Sequence, residues 1–152
     1  MPKPLPDLLI RPLEPEDRAA WQPLWHDYLA FYESQVSPET TDVLWRRFHD
    51  PSEPMVVLGA LSGGRLVGIA HYLFHRSCWT IGDYCYLQDL FVAPHARGLG
   101  AGRALIAVVE QAARAHGASR VHWLTREDNH AARALYDKLA DRSGFIQYRK
   151  LF

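Results

Sequence analysis

At 152 residues and 17.4 kDa, 48% hydrophobic and 22% charged, the chain has the makeup of a single globular domain over residues 1–152. Its 17 basic and 17 acidic side chains cancel, which argues against a nucleic-acid partner. No apolar run reaches the roughly 18–20 residues of a bilayer span, the start has no secretory apolar core, and two cysteines make no disulfide scaffold; the expectation is a cytoplasmic protein with no membrane partner.

A short strand is expected near Leu8–Pro12. Glu14–Asp17 then starts a helix, with acidic residues in its first turn, that carries Ala19, Leu24, Trp25, Tyr28 and Leu29 at helical spacing. Ser37-Pro38-Glu39 opens a second helix bearing Leu44, Trp45 and Phe48. Met55–Leu61 and Leu66–Phe74 read as strands joined by the turn Ser62-Gly63-Gly64-Arg65. A third strong strand, Tyr84–Val92, follows the Gly82-Asp83 break. The glycine-rich turn Gly98–Gly102 leads into a helix running to about His116, with Gly117 as its C-cap. Val121–Thr125 is a further strand, Asn129–Leu139 a helix, and Phe145–Phe152 a closing strand. The order gives a mixed sheet with helices on its faces, an α/β (α+β) fold.

The segment richest in chemistry runs from Leu87 to Ile106. A strand passes into Arg97-Gly98-Leu99-Gly100-Ala101-Gly102, and a helix starts at once. Glycines permit backbone angles closed to other residues and let a ligand approach the main chain. The unpaired N–H groups of a first helical turn attract anions, and Arg97 and Arg103 add positive charge. A phosphate or pyrophosphate held mainly by backbone is expected. It is not a Walker A site, because no Lys-Ser or Lys-Thr pair occurs. It is not the dinucleotide fingerprint, whose third glycine falls on Arg103.

The residues do match R-x-x-G-x-G at Arg97, Gly100 and Gly102. With the strand Leu87–Val92 and the segment Trp123–Tyr136, the chain resembles the GNAT superfamily of acyl-CoA-dependent N-acyltransferases. The resemblance covers nearly the whole chain and is strongest to the branch containing the yeast histone-and-polyamine acetyltransferases. It implies a mostly antiparallel mixed sheet of six to seven strands flanked by about four helices. A pyrophosphate loop would lie between the fourth strand and the next helix. It implies acetyl-CoA as co-substrate, held by N–H groups of Leu99, Gly100, Ala101, Gly102 and Arg103 beside Arg97 and Gly98. Pantetheine would pair with main-chain groups of Leu90, Phe91 and Val92. The N–H of Val92 would polarise the acetyl carbonyl, Asn129 would contact the cofactor, and Tyr136 would protonate the departing thiolate. A phenol is suited to that task, since it keeps its proton at neutral pH.

The chain departs from the pattern at one point. Some relatives carry Glu nine residues before the loop arginine; here Gln88 stands there and cannot act as a base. Gln88 is expected to order a water, with the amine proton passing to Asp89, Glu33 or a histidine. Tyr32, Glu33, Gln88 and Asp89 are the candidate acceptor contacts. Spacings among His71, His75, Cys78, Cys85 and His95 match no standard zinc pattern, so no metal is expected. A non-catalytic acyl-CoA sensor is the alternative; nucleotide phosphoryl transfer lacks both a Walker lysine and a metal-binding carboxylate pair.

The zero net charge hides an asymmetry. Residues 1–76 carry 7 basic and 10 acidic side chains, and residues 77–152 reverse the numbers. The span 27–53 holds Asp27, Glu33, Glu39, Asp42, Asp50 and Glu53 against Arg46 and Arg47. An acidic cleft steers cations, so a small-molecule or peptide acceptor with a cationic primary amine is expected. In the yeast-like branch the C-terminal strand helps build a dimer, which implies a homodimer through Phe145–Phe152.

Overall fold

A computed structural model describes residues 3–152. Strand β1 (Leu9–Pro12) is followed by helices α1 (Arg18–Phe31) and α2 (Pro38–Phe48). Strands β2 (Met55–Ser62), β3 (Arg65–His75) and β4 (Tyr84–Val92) come next, then α3 (Ala101–His116), β5 (Val121–His122) and α4 (His130–Leu139). Local chemistry sets these boundaries. Ser37 Oγ accepts the Thr40 N–H at 3.1 Å and Pro38 opens α2. The β2–β3 turn uses Gly63 (φ 57°) and Gly64 (φ 78°), angles that a two-residue hairpin needs.

The five strands lie in the order β1-β2-β3-β4-β5. The first three pairings are antiparallel, and β4–β5 is parallel. Both faces of the sheet are covered. Leu58, Ala70 and Leu87 pack with Leu105 and Val109 of α3, while Val57, Ile69 and Phe91 pack with Trp21, Trp25 and Trp45 of α1 and α2. Alternate side chains of one strand therefore enter different cores, which is why β2 and β3 are apolar nearly throughout.

Two expectations are corrected. The sheet has five strands, not six to seven, because Phe145–Phe152 forms no strand. After Leu139 the chain has no regular secondary structure, and Phe145, Ile146, Tyr148, Leu151 and Phe152 are largely exposed. β5 is also shorter than Val121–Thr125, pairing only Val121 with Cys85 and His122 with Tyr86.

Candidate active site

Strand β4 carries a bulge. Pairing with β3 passes from His71↔Asp89 directly to Tyr72↔Leu87, so Gln88 is an extra residue without a partner. A bulge breaks the alternation of side chains and re-aims them. Adjacent Gln88 and Asp89 consequently line one cavity of about 440 Å³, together with Trp25, Glu39, Phe48 and His71. Val36, Val43, Leu44, Met55 and Leu73 complete its apolar wall, and Arg47 sits at its margin. Behind it, His71 Nδ1 is 2.9 Å from Asp89 Oδ2, and the Tyr28 phenol, pushed up by burial and then by the Asp89 carboxylate, keeps its proton.

On its other side β4 is open. The ladder to β5 ends at Tyr86, so Leu87–Val92 has no strand neighbour there among the described residues. Ala93 N–H donates to Val67 O at 2.8 Å, which marks Ala93 and Val67 as a hydrogen-bonded pair. Such pairs alternate along an antiparallel ladder, so the main-chain groups of Phe91 face β3 and those of Leu90 and Val92 face the open edge. The three-residue expectation for that edge narrows to two.

The open edge leads into the glycine turn and the start of α3. Gly98 (φ 75°) and Gly100 (φ 96°) adopt left-handed angles, and a Cβ at either would meet nothing within 4 Å. The turn thus leaves open space at a helix N-terminus, where an anionic group can approach the backbone. Arg97 is exposed, its Nε donating to Val92 O at 2.8 Å. Tyr136, on α4, is half-buried with its ring edge-on to Trp123, at 5.5 Å between centroids. Burial, with a smaller effect of Tyr32, pushes its phenol up to about 12.

Other expected residues fall less centrally. Asn129 precedes α4 without a capping bond, its Nδ2 donating instead to Thr125 Oγ1 at 3.1 Å. Tyr32 ends α1, edge-on to Tyr28 at 5.2 Å. Glu33 has φ 53° and an exposed side chain, and it does not line the acceptor cavity; Glu39, one helix further on, does. The sequence reading named Glu39 only within the acidic span 27–53, and it missed Trp25, Phe48 and the packing of His71 at the cavity. One signal was available: His71 lies two residues after Ile69 in a nearly continuous apolar strand, a position that buries a polar ring and demands partners.

A cavity beside Gln88 and Asp89, and an unpaired strand edge that leads into a glycine turn at a helix start, thus flank one strand of an α/β fold. The chain belongs to the acetyltransferase (GNAT) family, whose description matches residues 21–140 and so spans both halves of the site. It is 35% identical over 147 residues to the D-amino-acid N-acetyltransferase HPA3 of Saccharomyces cerevisiae, covering 94% of this chain and 90% of that protein. It is 32% identical over 95 residues to a thialysine N-epsilon-acetyltransferase of Caenorhabditis elegans, covering 59% of each. Among solved structures, AAC(6')-Iy in complex with the bisubstrate analogue CoA-S-monomethyl-acetylneamine superposes with a TM-score of 0.81 at 18% identity, covering 95% of this chain and 99% of that one. The chain is therefore an N-acetyltransferase, which sets aside the non-catalytic sensor reading. Among the described residues, no helix is long and apolar enough to cross a membrane.

Proposed function

We propose that this N-acetyltransferase transfers the acetyl group of acetyl-CoA directly to a cationic primary amine. The observation that carries the reading is the open edge of β4 running straight into the bare turn at α3. An extended pantetheine arm fits the edge as an added strand, through the main-chain groups of Leu90 and Val92. The pyrophosphate fits the N–H groups from Leu99 to Arg103, beside Arg97 and Gly98, and Asn129 is the further contact to the cofactor. Acetyl-CoA supplies the thioester. The N–H of Val92 is the donor for its carbonyl oxygen, a kind of contact worth about 2.7–4 kcal/mol where charge develops. Tyr136 holds a proton for the leaving thiolate.

The amine enters from the opposite side, where Gln88, Asp89 and Glu39 line the cavity; Tyr32 and Glu33 stand at the end of α1. Two carboxylates facing Arg47 alone favour a cation over an anion. The relatives named for D-amino acids and for thialysine both take an amine, and thialysine carries its amine on a cationic side chain. Gln88 orders a water through which the ammonium proton passes to the Asp89 carboxylate, freeing the nitrogen lone pair to attack the thioester carbon. The protein works in the cytoplasm, where its unpaired Cys78 and Cys85 stay reduced. It forms a homodimer through the exposed segment 145–152.

Thiol release from acetyl-CoA, measured across a panel of amines, amino acids and basic peptides, tests the reading. Turnover is expected with cationic primary amines, with a KM that rises with ionic strength. Tight CoA binding without turnover on any amine would overturn it, and a salt-insensitive KM or a preference for carboxylate-rich acceptors would overturn the choice of acceptor.

A further inference from the structure

Behind the acceptor cavity lies a buried hydrogen-bonded chain that acetyl transfer does not by itself require. Trp21 is 0% exposed and His71 3% exposed, and the indole N–H of Trp21 meets His71 Nε2 at 2.9 Å. An indole nitrogen only donates, so His71 Nε2 presents its lone pair and the ring proton resides on Nδ1. That Nδ1–H donates to Asp89 Oδ2 at 2.9 Å. The rings of Trp25 and Phe48 hold the imidazole in place at centroid distances of 5.2 and 4.7 Å. Both nitrogens of His71 are thus engaged, and neither offers a lone pair to an amine. The Asp89 side chain is only 13% exposed, and it lines the cavity.

We propose that Trp21 and His71 are positioning residues: the Trp21 indole fixes the tautomer of His71, and His71 Nδ1–H fixes the Asp89 carboxylate as the group that receives the acceptor amine. The inference rests on the amine-transfer reading above and adds to it the two residues that orient its carboxylate. It also removes His71 from the candidates for general base. The bulge at Gln88 contributes by turning Asp89 to the cavity while leaving it paired in register with His71.

Two measurements test this. Nitrogen-15 spectra of the imidazoles are expected to show His71 as the Nδ1–H tautomer in the wild-type protein and as a mixture in Trp21→Phe. An Nε2–H tautomer in the wild type overturns the proposal whatever the amine panel shows, so its failure is distinct from failure of the transfer reading. In kinetics, His71→Leu is expected to lower kcat/KM for the amine about tenfold or more, the loss that one hydrogen bond to a charged group carries. The KM for acetyl-CoA should stay within about twofold, which also reports a folded protein. His71→Asn keeps an N–H near the position of Nδ1 and should restore most of the activity. In an Asp89→Asn background, His71→Leu should have little further effect. Equal losses in both backgrounds, or an Asn variant as poor as the Leu variant, overturn the proposal.

Discussion

Arg97 closes the turn out of β4 onto its own strand: its Nε donates to Val92 O at 2.8 Å, and its guanidinium lies 5.2 Å from the centroid of the Phe91 ring. The same carbonyl belongs to the residue whose N–H faces the open edge. The arginine therefore fixes the orientation of the Val92 peptide as well as adding positive charge to the loop. Lysine offers neither a planar stack nor an Nε–H at that point. Arg97→Lys is expected to destabilise the fold by about 1 kcal/mol, roughly 2–4 °C in Tm at this chain length. It should also lower kcat about tenfold or more, part of the loss that follows when one oriented oxyanion donor is misplaced. Thermal melts and steady-state kinetics check both; an unchanged kcat would show that the positive charge alone matters.

Gly100 and Gly102 separate backbone need from ligand need. Gly100 stands at φ 96° with open space around it, so alanine there is strained by its own backbone and not by a clash. Gly100→Ala should cost about 1–2 kcal/mol of stability. A Cβ at Gly102 meets Leu135 at 3.6 Å and Val92 at 3.9 Å, ordinary contacts inside a helix that favours alanine. Gly102→Ala is therefore expected to melt no lower than wild type while CoA binding, followed by calorimetry, weakens at least about tenfold through the lost close approach. Unchanged binding would mean that the ligand keeps its distance from Gly102.

Tyr136 is judged by turnover. Removing a general acid costs about 10²–10⁴ in rate, so Tyr136→Phe should lower kcat about a hundredfold and leave the KM for acetyl-CoA nearly unchanged. Because burial holds the phenol up to about 12, the wild-type kcat should show no downward limb near pH 10 from this residue. A Phe variant within about threefold of wild type would remove Tyr136 from the chemistry.

The helices α1 to α4 and strands β1 to β4 were legible in the sequence because each rests on local signals: Ser37-Pro38, the Gly63-Gly64 turn, and the apolar spacing from Leu105 to Ala112. The glycine turn at Gly98–Gly102 was legible for the same reason. The bulge at Gln88 was not. It is set by how β4 registers on β3, a pairing between residues far apart in the chain. That one extra residue brings the neighbours Gln88 and Asp89 to a single cavity. The bond between Trp21 and His71 joins α1 to β3 across fifty positions, and no periodicity announces it.

Burial also sets the alkaline limit of the fold. It is the main reason that Cys85 is pushed from 9.0 up to about 11, and Tyr72 and Tyr136 from 10.0 up to about 12. An acid with a raised folded pKa keeps its stabilising effect below the unfolded value and loses it as pH rises to the folded value. Stability should therefore be flat below pH about 9 and fall progressively from about 9 to about 12. Cys85→Ala should move the onset toward about 10, where unfolded tyrosines begin to ionise. Denaturant titrations across this range check it; a decline already complete at pH 9 would contradict it.

The C-terminal segment offers the last test. Phe145, Ile146, Tyr148, Leu151 and Phe152 are between 75% and 119% exposed, and they belong to neither hydrophobic cluster of the chain. Their removal costs this protomer little buried area, so a chain ended after Gly144 should melt within about 2 °C of the full chain if the protein is a monomer. In a homodimer the same residues are covered by the partner, and each large side chain buried there contributes about 1.5–3 kcal/mol. Light scattering is expected to give twice the chain mass for the full protein and the single mass after truncation. The Tm of the full protein should rise with concentration, as association requires. A full-length monomer with a concentration-independent Tm would refute the dimer.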